Sequence, residues 1–113
     1  MKAIIITLLT SAVMANAALT EQQIDQIADA IKRVENSKKF PYGIKSVDTQ
    51  GDEAKARRIC KNTIRNNYAR WERAGKIGCY YDYLADKYCP PTADRQGNIN
   101  WKKNIHHLLK IND

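Results

Sequence analysis

No stretch of this chain alternates apolar and polar residues as a half-buried strand requires, which sets aside sandwiches and barrels built from such strands. Residues 42 to 47 are the one extended candidate, short enough for an arm of a small hairpin near 42–50 or for a loop. Internal repeats, low-complexity tracts and a domain-separating linker are also missing, which excludes solenoids and arrays. The only long apolar run is Ala3 to Val13, too short to span a bilayer, and no second run follows it. A membrane anchor is therefore not expected. No C-x-x-C is present, and the adjacent pair His106-His107 points in two directions on a helix, so neither a metal site nor a cofactor is expected.

What is present begins with a targeting pattern. Met1-Lys2 is a short positive start, Ala3 to Val13 is mostly apolar, and Ala15-Asn16-Ala17 places small residues at both positions of an A-x-A cleavage site. This is the pattern of a secretory signal peptide over residues 1–17, with a secreted or periplasmic product. Residues 18–113, 96 of the 113, suffice for one domain. Without Lys2 the 19 basic residues become 18 against 12 acidic ones, a net charge of +6 with histidine neutral. Such a field suits an anionic polymer, whether cell-wall glycan, nucleic acid or anionic lipid, and does not choose among them.

Helical periodicity covers nearly all of the mature chain. The first helix opens with Thr20-Glu21-Gln22-Gln23, a capping box, carries Ile24, Ile27, Ala28 and Ile31 on one face, and ends at Asn36-Ser37. A second helix, about Asp52 to Ala74, has Ala56, Ile59, Cys60, Ile64, Asn67 and Trp71 at helical spacing and Gly75 as its cap. A third spans about Tyr80 to Tyr88 and stops at Pro90-Pro91. A fourth begins near Asn100 and turns Trp101, Ile105, Leu108 and Leu109 inward. The expected fold class is a single all-α, four-helix domain.

Cys60, Cys79 and Cys89 in an oxidising compartment allow one disulfide and one leftover thiol. The third helix holds Cys79 and Cys89 roughly 15 Å apart, beyond the ~7 Å limit for a bridge. The bond therefore uses Cys60, and Cys89 is its expected partner, because Cys79 follows Gly78 in a loop while Cys89 ends a helix. Closing that loop would stabilise by about 3 to 4 kcal/mol.

Glu35 is the residue that points to chemistry. Four positions beyond Ile31, it extends the apolar stripe of the first helix, and it stands at the helix C-terminus, where the backbone dipole disfavours an anion. Both effects would push its carboxyl upward, as a general acid near neutral pH requires.

The segment Ile31-Lys32-Arg33-Val34-Glu35-Asn36-Ser37, followed by Tyr42-Gly43-Ile44-Lys45-Ser46, resembles the catalytic core of lysozyme-like glycan hydrolases and lytic transglycosylases. There a helix ends in Glu and a short loop leads to a Gly-Ile/Leu segment lining the cleft. Asn36 stands where that family usually has Ser, and Lys45-Ser46 where a Gln usually follows. The resemblance implies a compact lysozyme-like domain in which Glu35 gives a proton to the glycosidic oxygen of a β-1,4-linked amino-sugar polymer, with Tyr42, Gly43 and Ile44 at the substrate. A hydrolase needs a second carboxylate within about 5 to 9.5 Å. Asp48 is the candidate, with Asp52 in reserve as the start of the second helix. A transglycosylase needs one acid/base only. A further block, including Ala56-Arg57-Arg58-Ile59-Cys60, Tyr88-Cys89-Pro90-Pro91 and Gly97-Asn98-Ile99-Asn100-Trp101, resembles small bacterial and phage-encoded proteins. In such a family Cys60 and Cys89 are again the expected pair.

Tyr68, Tyr81, Tyr88 and Trp101 lie on apolar stripes and belong to the core, whereas Tyr42 and Tyr80 lie off them and are expected to contact ligand. Asn67, on a buried stripe, needs a partner, either a loop or a sugar amide. Arg57, Arg58, Lys61 and Arg65 form a basic stripe, a solvated face or a contact for anionic polymer. The leading expectation is a secreted peptidoglycan-cleaving enzyme. The alternatives are a periplasmic immunity or inhibitor protein that binds a wall-degrading toxin, and a secreted binder of anionic polymer.

Overall fold

A computed structural model describes residues 19–37, 40–44 and 52–111. The signal-peptide pattern of residues 1–17, the candidate Asp48 and the Lys45-Ser46 pair lie outside the described residues.

The capping box of the first helix forms as its residues require. Thr20 Oγ1 accepts from the Gln23 amide at 3.1 Å, and Gln23 Oε1 accepts from the Thr20 amide at 2.9 Å. Helix α1 (Glu21–Glu35) then runs to Asn36, which takes the left-handed conformation (φ 43°, ψ 48°) that ends it. A 3-10 turn, Pro41–Gly43, follows. Helix α2 (Glu53–Arg73) is capped by Asp52, whose Oδ1 accepts from the Lys55 amide at 3.1 Å, and Gly75 just beyond its end has φ 97°. Helix α3 (Tyr80–Tyr88) lies between Cys79 and Cys89.

Helix α4 (Arg95–Leu108) starts five residues before the expected Asn100. The reason is its cap: Asp94 Oδ1 accepts from the Gly97 amide at 2.9 Å. The first turn of α4 is polar, so the apolar periodicity that marks the helix in sequence begins only at Trp101.

No strand occurs among the described residues, so the chain is all-α there. Tyr42 and Gly43, expected in a hairpin arm or a loop, occupy the 3-10 turn with φ of 60° and 70°, and the rest of the 42–50 segment beyond Ile44 lies outside the described residues. Helix α1 packs on α2 and α4, and α3 packs on α2 and α4. The core between them includes Ile27, Ile31, Ile64, Leu84 and Ile105, all fully buried. Each such side chain contributes about 1.5 to 3 kcal/mol by leaving water.

The Cys60–Cys89 disulfide does not form; Cys60, Cys79 and Cys89 are all free thiols. Cys60 is fully buried on α2, and its Sγ accepts a hydrogen bond from the Tyr88 hydroxyl at 3.4 Å. The last turn of α3 thus presents Tyr88 to Cys60. Cys89, the next residue, caps the helix and is tied through its carbonyl to Asn98 Nδ2 at 2.8 Å. Tertiary packing, without a covalent brace, joins α2 to α3 at this point.

Candidate functional site

Glu35 closes α1 half-buried, and two distant residues fix its carboxyl. Trp101 on α4 donates its indole N–H to Glu35 Oε2 at 2.8 Å. On the other side the carboxyl lies directly over Gly43, where an added Cβ would stand 2.5 Å from Oε1 and 2.6 Å from Cδ. A side chain at position 43 and the carboxyl of Glu35 therefore exclude each other, and the φ of 70° independently favours glycine there. The ring of Trp101 stacks on Tyr88, with centroids 5.3 Å apart and planes at 16°. Glu35, Gly43 and Trp101 come from three separate elements, yet they form one contact group. Of these, Trp101 lies on the apolar stripe of its helix and is a core residue, 5% exposed. Its indole N–H, a donor that burial obliges to find a partner, was the signal for the second role.

The two tyrosines expected at the ligand are core residues instead. Tyr42 is 1% exposed, and its hydroxyl accepts from Arg57 Nη1 at 3.0 Å. Tyr80 is 5% exposed and donates to the Ile64 carbonyl at 2.7 Å, with Tyr68, Trp71 and Tyr81 around its ring. Burial pushes the Tyr80 phenol well above its usual range. Position off a helical stripe misleads here, because Tyr42 lies in a turn folded back on the core and Tyr80 opens a new helix. Ile44 is buried as well, and Asn67 satisfies itself by donating to the Thr63 carbonyl one turn back at 2.9 Å.

The basic stripe is largely paired. Along α1, Glu21, Asp25 and Asp29 recur every four residues and meet Arg57, Lys61 and Arg65, which recur every four along α2 in the opposite direction. Arg65 bonds Glu21; Lys61 bonds Glu21 at 3.2 Å and Asp25 at 2.8 Å; Arg57 bonds Asp25 at 3.3 Å and Asp29 at 2.8 Å. A fourth rung, Lys32 with Glu53, reverses the sign. This ladder fixes the helices antiparallel and in register. The carboxyls of Glu21, held first by Arg65, and of Asp25, held first by Lys61, lie below their ordinary values. Arg58 is exposed and stands apart from the ladder. A shallow cleft of about 300 Å³ runs along Arg57, Arg58, Lys61 and Arg65.

A second group joins the start of α3 to α4. One ligand atom each from Cys79, Asp82 and His106 lies within 4.8 Å of the others, with all three residues half-buried. His106 Nε2 and Asp82 Oδ1 are 2.9 Å apart. The sequence signal was Cys79-x-x-Asp82, which puts both side chains over the first turn of one helix. The matching histidine comes from α4, 24 positions on from Asp82.

Asp52, the reserve second carboxylate, is engaged as the α2 cap. The clefts described on this structure are lined by Gln26, Asp29, Arg33 and the end of α4, by the Asp82–His106 neighbourhood, and by the α2 cations; none of the three is lined by Glu35. No family model, curated protein or solved structure matches this chain.

Proposed function

We propose that the protein is a secreted cell-wall enzyme of lysozyme-like type that cleaves a β-1,4-linked amino-sugar polymer with Glu35 as its acid/base. The observation that carries the reading is the seating of Glu35. A half-buried carboxyl at a helix end is gripped through one oxygen by an indole from another helix, while the residue beneath it lacks a side chain altogether. Ordinary solvated glutamates are not held this way. The resemblance of the Glu35 to Ile44 segment to glycan-cleaving cores supplies the substrate class.

One carboxylate carries the chemistry, since Asp52 is committed to a helix cap. Trp101 donates to Oε2, so Oε1, the oxygen over Gly43, is the one through which a proton would pass to substrate. As the bond from the anomeric carbon to the glycosidic oxygen breaks, that oxygen takes the proton from Glu35. The carboxylate then accepts the proton of a substrate hydroxyl whose oxygen bonds to the anomeric carbon, which restores the acid form. Binding of anionic polymer through the α2 stripe is the weaker reading, because Arg57, Lys61 and Arg65 already neutralise acids of α1.

Clearing of peptidoglycan suspensions by the purified protein tests this. Glu35→Gln should lower the rate by about 100- to 10,000-fold, the usual worth of a positioned acid/base. The glutamine carbonyl can still accept from Trp101, so the fold should persist by circular dichroism. Equal clearing by the variant, or none by the wild type on several wall types, overturns the reading.

A further inference from the structure

We infer that Cys79, Asp82 and His106 form a binding site for a divalent cation of the zinc class. Three features carry it. First, the ligand set is mixed thiol, carboxylate and imidazole, the combination zinc accepts in tetrahedral sites and one poorly suited to magnesium or calcium. Second, the geometry is close to what such an ion needs. Ligand bonds of about 2.0 to 2.3 Å put the atoms of a tetrahedron roughly 3.3 to 3.8 Å apart. The three atoms here lie within 4.8 Å of one another, with the Asp82–His106 pair at 2.9 Å, so side-chain rotations alone bring them onto an ion.

Third, the backbone delivers Cys79 to the spot. Gly75, Lys76 and Gly78 have φ of 97°, 56° and 76°, three left-handed residues that turn the chain sharply between α2 and α3. Cys79 then caps α3, yet its side chain makes no capping hydrogen bond. Asp82 follows one turn on, and His106 reaches across from α4. The sequence pair His106-His107 hid this site, since only the first histidine is needed. The fourth coordination position is left to water or an anion, because Asp82 and His106 also line a cleft of about 550 Å³ together with Lys102, Lys103 and His107. Binding displaces the thiol proton of Cys79 to solvent, so affinity should rise with pH. The bound ion would clamp α3 to α4.

The test uses the full chain, stripped with chelator and kept reduced, titrated with Co²⁺ and then Zn²⁺. One equivalent of Co²⁺ should give a thiolate-to-metal charge-transfer band and the visible bands of tetrahedral cobalt, both abolished by one equivalent of Zn²⁺. Cys79→Ser should remove the charge-transfer band, and His106→Ala should weaken binding at least about 100-fold, the upper end for loss of an outer partner. Cys89→Ser and His107→Ala should change neither. Should the variants fail to fold, alkylation of the wild-type chain gives the same answer: Zn²⁺ should protect Cys79 and leave the rate at Cys89 unchanged. Absence of the charge-transfer band, its persistence in folded Cys79→Ser, or equal alkylation of Cys79 with and without Zn²⁺ overturns the site.

Discussion

The indole nitrogen of Trp101 donates to Glu35 Oε2 at 2.8 Å, joining the last residue of α1 to the middle of α4 across 66 sequence positions. Trp101 is 5% exposed, so the bond is made where water competes poorly. Such a hydrogen bond contributes about 0.5 to 3 kcal/mol, the upper half where the carboxyl is ionised. Trp101→Phe keeps most of the stack on Tyr88 and deletes the donor. It should lower stability in urea by about that amount and reduce peptidoglycan clearing. A loss below ~0.5 kcal/mol would show the contact to be incidental.

Gly43 and Gly78 give a matched pair of substitutions. Both have positive φ, 70° and 76°, but a Cβ at Gly43 runs into Glu35 while one at Gly78 meets nothing within 4 Å. Gly78→Ala should therefore cost about 1 to 2 kcal/mol, from the left-handed backbone alone. Gly43→Ala should cost at least ~1 kcal/mol more through overpacking. It should also depress clearing by displacing the carboxyl. Equal costs in a thermal melt would mean that Glu35 does not rest on Gly43.

The α1–α2 ladder predicts acid sensitivity with a definite sign. Glu21 and Asp25 have folded-state carboxyls below their ordinary values of 4.5 and 3.8, because cations of α2 bond the ionised forms. Their contribution is present above those values and is lost as pH falls through the lower, folded ones. Melting temperature should drop below about pH 4.5, more gently in 1 M salt, where the Debye length is only about 3 Å. The double variant Glu21→Gln, Asp25→Asn should flatten that limb, and an unchanged slope would refute the ladder's role.

At the alkaline end the burial of Cys60 and two phenols decides. Burial pushes the Cys60 thiol from 9.0 up to about 11, and it raises Tyr80 and Tyr88 as well. The unfolded chain thus releases these protons first, and stability falls as pH rises from about 9 through 11. In the native protein at pH 8, iodoacetamide should label Cys79 and Cys89 and leave Cys60 untouched until urea exposes it. Labelling of Cys60 at the rate of Cys89 would contradict its burial, and failure of Cys60 to label even in urea would mean that it is oxidised.

Much of the architecture was legible because helix signals are local. Thr20 with Gln23, Asp52 before α2 and Asn36 after α1 each mark a boundary through bonds made within one turn. The start of α4 is not legible locally because its first turn is polar, so the cap at Asp94 has no apolar stripe beside it. Glu35 stood out for the same local reason that reveals helices, its place in the 3.6-residue period. The burial of Tyr42 and Tyr80 depends on what packs over them, which no period within one segment records.

Four helices among the described residues, the caps of α1 and α2 and the position of one carboxyl at a helix end were legible in the chain alone, all products of hydrogen bonds and periodicities spanning four residues or fewer. Tertiary structure alone decided what surrounds that carboxyl, which cations are spent on ion pairs, and that Tyr88 rather than Cys89 meets Cys60. Those outcomes depend on the register between helices. Register is set by many side-chain contacts at once, at sequence separations of 24 to 66 residues for the Asp82–His106 and Glu35–Trp101 contacts, where no local pattern reaches.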